Sequence, residues 1–228
     1  REAGELSWRA PQLPALSEGK GVRIGVAQDE AFCFTYRDNL QMLEDMGAEL
    51  VPFSPLSDSR LPERLQGLIL SGGYPELHAP ALAENSSMRE EIREAVKAGL
   101  PCIAECGGFL YLHRTLEGED GKEYPMAGVL DARAFRTPKL SRFGYITLTA
   151  RQDQLLLGEG EQIRGHEFHY WESESCGEAM QAKKPLRKRS WSCVHGNSTL
   201  YAGFPHLFFY SNPEAAWNFL KKCEEQPC

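Results

Sequence analysis

The sequence predicts an α/β domain with a mostly parallel β-sheet, helices on both faces of that sheet and an antiparallel extension. In the first half of the chain, short apolar runs alternate with segments whose apolar residues have helical spacing. The apolar runs are continuous, which is typical of parallel strands buried on both faces. Two runs end in glycine turns, SGGYPE at 71–76 and ECGG at 105–108. Ligands bind at the carboxyl ends of strands in such sheets, so we expect both turns to face one pocket.

The first half of the chain contains four predicted strands and three predicted helices. Gly47 ends the first helix, since glycine readily adopts the left-handed conformation found after helices. The third helix follows Cys106, and its apolar face extends to Leu116. The other predicted elements are strands over 21–27, 50–53, 67–70 and 101–104 and helices from residue 35 or 36 to 46 and over 88–98.

The second half predicts the antiparallel extension. Alternating apolar and polar residues predict strands over 143–149 and 165–170. Two further runs, 191–195 and 200–203, have a glycine-asparagine pair between them, and we expect them to pair across that turn. A last helix runs over 213–222 with Asn212 as its N-cap.

The domain organisation follows from length and local composition. Residues 1–20 contain prolines and no sustained periodicity, so they predict a linker or leader. Residues 21–228 form a segment of ordinary size for one domain. No apolar run approaches the roughly 20 residues that span a bilayer, and no secretory start is present, so we expect a cytoplasmic protein without a membrane partner.

Charge and cysteine content exclude several classes of function. The 25 basic and 32 acidic residues give a net charge of −7, which argues against broad nucleic-acid binding. The basic stretch at 183–189 is most simply a solvated loop, with an anion-binding patch as the alternative. Seven cysteines without a Cys-x-x-Cys pair predict reduced thiols, no disulfide framework and no metal site. No phosphate-loop motif is present, so we expect this chain to bind no ATP by that means.

Cys106 is the predicted nucleophile. It stands where a buried strand meets a helix, and the positive end of a helix dipole favours the thiolate form. Two glycines follow it and suit a tight turn close to a ligand, and the Gly107 amide could hold an oxyanion. The alternative is simple packing, which we expect for Cys102 in the middle of its apolar run.

A thiol nucleophile needs a base, and histidine is the usual choice. His78 and His113 are expected to be surface or structural residues, and His195 beside a predicted turn is expected to be exposed. His166, His169 and His206 remain. His206 stands in GFPHLFFY at 203–210, where a proline and neighbouring aromatic residues would fix its position before the last helix.

Four motifs in this order resemble a known family. They are SGGYPE at 71–76, AECGG at 104–108, RGHEFHY at 164–170 and GFPH at 203–206. Together they are similar to the glutamine amidotransferase domain of cobyrinate a,c-diamide synthase, within the class I cobyrinate and cobyrate type. The resemblance covers about residues 21–222 and implies the flavodoxin-like class I glutamine amidotransferase fold.

The resemblance implies roles for particular residues. The family's catalytic cysteine corresponds to Cys106 and its activating histidine to His206, and the oxyanion region corresponds to Gly72 and Gly73, with Gly107 beside the nucleophile. Many class I amidotransferases carry a glutamate two residues after the histidine, and here that position is Phe208. A Cys-His dyad or a differently placed carboxylate must therefore serve.

The resemblance also implies substrates and partners. Glutamine would be hydrolysed for ammonia, and an N-terminal synthetase domain, fused or separate, would use ATP and Mg²⁺ to amidate the a and c carboxylates of a cobyrinate-like tetrapyrrole. The macrocycle stays open among cobyrinate, hydrogenobyrinate and nickel-sirohydrochlorin, because enzymes for these share the motifs. The residues expected to face the macrocycle or the partner domain, with edge-strand packing as the alternative, are Arg142, Tyr145, His166, His169 and Tyr170.

Two rival functions remain at this stage. One is a free-standing cysteine hydrolase or deglycase of the same fold, which would also carry a cysteine on a strand-to-helix turn. The other is a non-catalytic module that binds glutamine or a tetrapyrrole. Release of glutamate from glutamine that depends on Cys106 would separate the amidotransferase from both.

Overall fold

A central six-stranded sheet organises the domain, and five of its strands are parallel. The computed structural model describes residues 13–16, 21–140 and 142–226. The strand order is β13-β14-β4-β3-β1-β2, and only the pairing of β13 with β14 is antiparallel. The strands are β1 (Val22–Ala27), β2 (Ala48–Phe53), β3 (Gly67–Leu70), β4 (Cys102–Glu105), β13 (His195–Gly196) and β14 (Leu200–Gly203).

Helices cover both faces of this sheet, as predicted. Residues of α1 and α5 pack on one face, and residues of α2, α3 and α4 pack on the other. Side chains of β4 divide between the two faces: Ile103 packs with α5, whereas Cys102 and Ala104 pack with α3 and α4. The helices are α1 (Arg37–Asp45), α2 (Ala79–Glu84), α3 (Ser86–Lys97), α4 (Gly107–Tyr111) and α5 (Pro213–Glu224), with 3-10 turns at Pro75–Leu77 and Phe209–Ser211.

A small mixed sheet follows α4, and the sequence did not predict it. The prediction of one helix reaching Leu116 is wrong, because α4 ends at Tyr111 and Leu116 lies in a strand. Helical spacing over a short apolar segment does not exclude a strand, and here distant residues supply the pairing. The order is β10-β7-β5-β6, with β5 (His113–Glu117), β6 (Glu123–Pro125), β7 (Leu130–Arg136) and β10 (Trp171–Ser173).

A third sheet is antiparallel throughout and forms the predicted extension. Its order is β12-β11-β8-β9-β15. The predicted strand over 143–149 lies within β8, and the predicted strand over 165–170 overlaps β9 and extends one residue beyond its end. The strands are β8 (Arg142–Ala150), β9 (Gln162–His169), β11 (Met180–Lys183), β12 (Ser190–Cys193) and β15 (His206–Leu207).

The predicted pairing of 191–195 with 200–203 is correct only in part. His195 pairs with Ala202 across the predicted turn, but β12 pairs with β11 in the other sheet. β14 itself pairs in parallel with β4, so it belongs to the central sheet and not to the extension. The apolar run of β14 is fully buried, which is the property of a central parallel strand.

The chain ends differ from the predictions in detail. Asn212 precedes α5, but its side chain makes no capping hydrogen bond and instead donates to the Gln162 carbonyl at 3.0 Å. Of the predicted linker 1–20, the structure describes residues 13–16, where the Leu16 amide donates to the Met46 carbonyl at 2.8 Å. The rest of that segment lies outside the described residues. Within the described ranges, no helix is long and apolar enough to cross a membrane.

Glu167 is a charged residue in the middle of the fold. It lies in β9 with no exposed surface, and its carboxylate is 3.9 Å from a guanidinium nitrogen of Arg142. Neither carboxylate oxygen has a hydrogen-bond partner within the described residues. Burial raises the pKa of Glu167 from 4.5 to about 7, although the Arg142 charge opposes that rise.

We predict that Glu167→Gln stabilises the domain above neutral pH. The pKa is higher in the folded than in the unfolded state, so the contribution of Glu167 to stability falls as the pH rises from about 4.5 to about 7. The variant does not lose this free energy of unfolding as the pH rises. Each kcal/mol of unfolding free energy that it retains raises Tm by about 2 to 4 °C in a domain of this size. Thermal unfolding at pH 5 and pH 8 should therefore give a smaller Tm difference for the variant than for the wild type. The exposed Glu90→Gln is the control, and equal pH dependence of Glu167→Gln and wild type would contradict the prediction.

Candidate active site

Cys106 lies in the turn that leaves the central sheet between β4 and α4. Its backbone has φ 46° and ψ −99°, and a positive φ is strained for a residue with a side chain. Two hydrogen bonds hold the turn: the Cys106 amide donates to the Gly203 carbonyl at 2.8 Å, and the Leu110 amide donates to the Cys106 carbonyl at 2.9 Å. The predicted helix is present but spans only five residues. The position of the thiol therefore depends on this turn more than on a long helix.

Gly107 and Gly108 allow the turn to pack directly against the end of β3. A Cβ atom on Gly108 would lie 2.1 Å from the Leu70 carbonyl oxygen, and one on Gly107 would lie 2.8 Å from the Gly73 amide nitrogen. Only glycine fits at such distances. The structure thereby brings the predicted oxyanion residues Gly73 and Gly107 side by side, next to the predicted nucleophile.

His206 reaches the same place from β15 of the antiparallel sheet. Its buried ring packs against the Phe34 ring, with centroids 4.6 Å apart, and lies close enough to the Cys106 side chain for that group to raise the pKa of His206. The ring also covers Gly72, where a Cβ atom would lie 2.4 Å from Cε1. The structure thus brings Cys106 and His206 together, and Gly72 provides the space that the ring occupies.

Glu105 is the site residue that the sequence did not identify. It is the last residue of β4 and is buried. Its Oε2 lies 3.5 Å from Nδ1 of His206, an ionic contact without good hydrogen-bond geometry, and its Oε1 accepts a hydrogen bond from the Leu207 amide at 3.0 Å. A signal was present in the sequence: a carboxylate inside an otherwise apolar strand requires a partner. The carboxylate therefore comes from the residue before the cysteine and not from position 208.

Electrostatic contacts set the charge state of His206. Burial lowers its pKa, but the neighbouring Cys106 side chain and then the Glu105 carboxylate outweigh burial and raise the pKa of His206 to about 10. The ring is therefore protonated at neutral pH. An imidazolium next to a thiol, with a carboxylate on its other nitrogen, is an arrangement suited to nucleophilic catalysis by cysteine.

The family follows from the match of residues 23–214 to the CobB/CobQ-like glutamine amidotransferase domain. The chain belongs to this family. The matched region includes both glycine turns, Cys106, Glu105 and His206, so it contains the whole site described above.

Curated relatives of this amidotransferase chain are longer proteins. The cobyrinate a,c-diamide synthase of Caldanaerobacter subterraneus subsp. tengcongensis is 43% identical over 206 residues, which are 90% of this chain and 46% of that protein. The cobyrinate a,c-diamide synthase of Salmonella typhimurium is 38% identical over 214 residues, which are 92% of this chain and 46% of that protein. The chain therefore spans about half the length of the curated relatives that it matches.

Solved structures share the fold of this amidotransferase chain. PurLQS from Thermotoga maritima has a TM-score of 0.58 at 17% identity, and the match covers 89% of this chain and 97% of that chain. A structure described as a glutamine amidotransferase has a TM-score of 0.58 at 20% identity, and the match covers 88% of this chain and 98% of that chain. The predicted class I amidotransferase fold is confirmed.

A narrow cavity of about 50 Å³ lies beside the thiol of the amidotransferase chain. It is far smaller than the roughly 300 to 1,000 Å³ typical of small-molecule sites. A cavity of about 740 Å³ lies near the amino ends of β4 and β14, at the opposite end of the sheet from Cys106, so its size does not connect it to the thiol. The smaller cavity is lined by Gly73, Tyr74, Glu76, Cys106, Leu110, Phe168, His169, Tyr170 and Trp171.

The five residues expected to face a macrocycle or partner do not share one surface. Tyr145 pairs with His166 on the outer face of the β8–β9 hairpin, where Tyr145 is 76% exposed, and Tyr170 follows with its ring half exposed. Arg142 pairs with His169 on the inner face. Side chains alternate between the two faces of a sheet, so these two lie on the side opposite to Tyr145. Arg142 contacts Glu167, and His169 is buried.

The other histidines have structural contacts. His113 is fully buried in β5 and not on a helix, with Nδ1 2.8 Å from the Phe109 carbonyl oxygen and Nε2 2.6 Å from Ser173 Oγ. His195 is half-buried and not exposed as expected, and its Nε2 lies 2.9 Å from the Ser175 carbonyl oxygen. His78 is half-buried at the start of α2. In the described part of the chain, no three potential ligands cluster as a metal site would require.

We predict that Cys106 is alkylated faster than any other described cysteine. Cys33 is exposed and is the comparator, whereas burial raises the pKa of Cys102, Cys176, Cys193 and Cys223. The neighbouring imidazolium stabilises the nucleophilic thiolate, so His206→Asn should slow alkylation of Cys106 by at least about tenfold. Limiting iodoacetamide at neutral pH, followed by peptide mass mapping, measures both rates.

Two outcomes of that experiment are decisive. An unchanged Cys33 rate in His206→Asn shows that the effect is local to the site. Labelling of Cys33 ahead of Cys106 in the wild type would contradict an activated thiol. Cys228 lies outside the described residues and is replaced by Ser in all samples.

We predict that Glu105→Gln lowers the pKa of His206. The variant keeps an oxygen that accepts from the Leu207 amide but loses the charge facing Nδ1. The protonated ring, present in the wild type up to about pH 10, should persist only to a pH lower by about one unit or more. Titration of the His206 ring proton by NMR measures this shift. The exposed Glu119→Gln is the control, and an unchanged His206 pKa in Glu105→Gln would refute the role of Glu105.

Proposed function

We propose that this chain is the glutamine-hydrolysing domain of a cobyrinate a,c-diamide synthase. The observation that carries the proposal is the site itself: Cys106 on a strained turn, in contact with a protonated His206 that also faces Glu105. Sequence similarity supports the proposal, because this chain is 43% identical to about half of a protein named cobyrinate a,c-diamide synthase. Ammonia from glutamine would serve ATP-dependent amidation of the a and c carboxylates of a corrin-type macrocycle in cobalamin biosynthesis.

The first chemical step forms a thioester. The Cys106 thiolate attacks the side-chain amide carbon of glutamine, and the amides of Gly73 and Gly107 hold the oxyanion that develops. Collapse of this intermediate breaks the carbon–nitrogen bond. The His206 imidazolium gives its proton to the departing nitrogen, so ammonia leaves and neutral imidazole remains.

The second step releases glutamate. Neutral His206 takes a proton from water, which attacks the thioester carbon. The carbon–sulfur bond breaks, and the thiolate and imidazolium are restored. Glu105 holds the ring and stabilises its positive charge at both stages, so the net reaction consumes water and glutamine and yields glutamate and ammonia.

The ammonia requires a second catalytic unit. Amide synthesis needs an activated carboxylate, and a cysteine-histidine site has no means of activating one. We assign that activation, with ATP and Mg²⁺, to a synthetase domain outside this chain, which accounts for relatives about twice as long. The cobyrinate-like tetrapyrrole would bind mainly to that domain. We also place the reaction in the cytoplasm, where the six described free cysteines would stay reduced.

The outer face of the β8–β9 hairpin is the surface best suited to that partner. It exposes the aromatic side chains of Phe143, Tyr145, Phe168 and Tyr170, and contiguous exposed apolar side chains mark interaction surfaces. Phe168 and Tyr170 also line the cavity of Cys106. A partner domain on this face could therefore widen the narrow cavity, so that glutamine is hydrolysed efficiently only in the complex.

Glutamate release from glutamine tests the proposal, and we predict slow release by this chain alone. Cys106→Ser should abolish it, and Cys102→Ser is the control because Cys102 is buried in β4 and does not line the cavity beside Cys106. Adding a separately produced synthetase half from a relative should raise turnover at least about tenfold and permit ATP-dependent diamide formation.

Other outcomes identify the rivals. No release with or without the synthetase half would favour a non-catalytic binding module. Rapid glutamate release by this chain alone, at a rate that the synthetase half does not change, would favour the free-standing hydrolase. Micromolar ATP binding by this chain alone would favour it as well.

A further inference from the structure

Two buried acceptor atoms without partners lie at the cavity beside Cys106. Oε2 of Glu76 and Nε2 of His169 are both buried, and neither has a hydrogen-bond partner in the described part of the structure. Both residues line the cavity. Unpaired buried acceptors are costly, so a pair of them next to a predicted nucleophile calls for a ligand that donates hydrogen bonds.

Glu76 lies on the 3-10 turn that follows the glycine turn after β3. It is only 8% exposed. Burial and then the nearby Glu119 raise the pKa of Glu76, to about 7. None of the ion pairs formed by the described residues includes Glu76. Its charge is therefore available to a cation that enters the cavity.

His169 presents an acceptor of defined orientation. Its Nδ1 lies 2.6 Å from the Trp171 carbonyl oxygen, so Nδ1 carries the hydrogen and Nε2 presents a lone pair. The ring is 4% exposed and stacks on Phe204, with centroids 3.7 Å apart. Burial lowers the pKa of His169 to about 4, which keeps the ring neutral.

We propose that Glu76 and His169 bind the α-ammonium group of glutamine. The inference rests on the proposed function, and it adds the group of the substrate that these residues recognise. An ammonium ion has only donors, and the two unpaired atoms have only lone pairs to offer. A metal ion is less suitable, because the described residues provide no third ligand here. Anchoring the ammonium end holds the amide end of the substrate against Cys106.

This arrangement also explains why an unpaired carboxylate is buried. A site that holds a buried charge for one substrate group rejects analogues that lack the group, because binding them leaves the charge unpaired. Selectivity for glutamine over other primary amides then comes from Glu76. The free domain is destabilised by the same carboxylate, so neutralising it should not lower stability.

Binding measurements on the Cys106→Ser background test the proposal without turnover. The two probes are L-glutamine and 5-amino-5-oxopentanoic acid, which is glutamine without its amino group. Calorimetry should give a Kd for glutamine at least about 30-fold lower than for the analogue, and Glu76→Gln should remove most of this difference by weakening glutamine binding alone. Tm should stay equal or rise in Glu76→Gln. Glu90→Gln, at an exposed position of α3, is the control and should keep the full difference.

His169→Phe tests the second acceptor. It preserves a ring against Phe204 but removes Nε2, so the preference for glutamine should fall by about threefold to tenfold. An unchanged preference in this variant would remove His169 from the site, and an unchanged preference in Glu76→Gln would overturn the proposal.

Hydrolysis of the same two compounds by chains with intact Cys106 distinguishes this inference from the function. Glutamine hydrolysis with the same preference in wild type and Glu76→Gln would leave the amidotransferase function standing and refute the role of Glu76. Glu76-dependent binding of glutamine without any hydrolysis would support the role of Glu76 and refute the amidotransferase function. If the wild type bound neither probe and hydrolysed neither, both proposals would fail.

Discussion

The contact between Glu105 and the segment of His206 holds the site together. One oxygen of this carboxylate accepts from the Leu207 amide, and the other faces the His206 ring. Glu105 belongs to the central parallel sheet, whereas β15 belongs to the antiparallel sheet. A single side chain therefore joins the two sheets at the point where Cys106 meets His206. Because the carboxylate is buried, its attraction to the imidazolium is screened less than it would be at the surface.

The same constraint explains the local sequence around the thiol. Cys106 must leave β4 sharply enough to contact a ring that comes from another sheet, which requires its positive φ. The turn can be this tight only because Gly108 lies against the Leu70 carbonyl. On the facing side, Gly72 leaves room for the His206 ring. The two glycine turns and the segment of His206 are therefore parts of one steric arrangement, although they are far apart in sequence.

The sequence predicted the central sheet and the position of Cys106 from local patterns, whereas the role of His206 was implied by the resemblance. Continuous apolar strands and glycine turns mark the ends of β3 and β4 without any knowledge of distant contacts. The carboxylate beside His206 was not predicted, since the choice between a Cys-His dyad and a carboxylate placed elsewhere in the sequence depends on how the two sheets meet. The strand β5 was missed for a related reason: its pairing partner β7 begins 13 residues beyond its end, at Leu130. Side chains alternate between the two faces along β8 and β9, and this alternation places Arg142 and His169 on the face opposite to Tyr145.

Three glutamates are buried, and they differ in whether the fold supplies partners for their carboxylates. Glu105 has both a cation and a backbone donor, so its charge is compensated within the fold. Glu167 has Arg142 at 3.9 Å and does not itself line the thiol cavity. Glu76 alone combines an unpaired oxygen with a place in that cavity. Burial of a charge is thus no sign of function by itself. The distinction comes from whether the missing partner could arrive from solvent, and for Glu76 the cavity beside Cys106 offers the route.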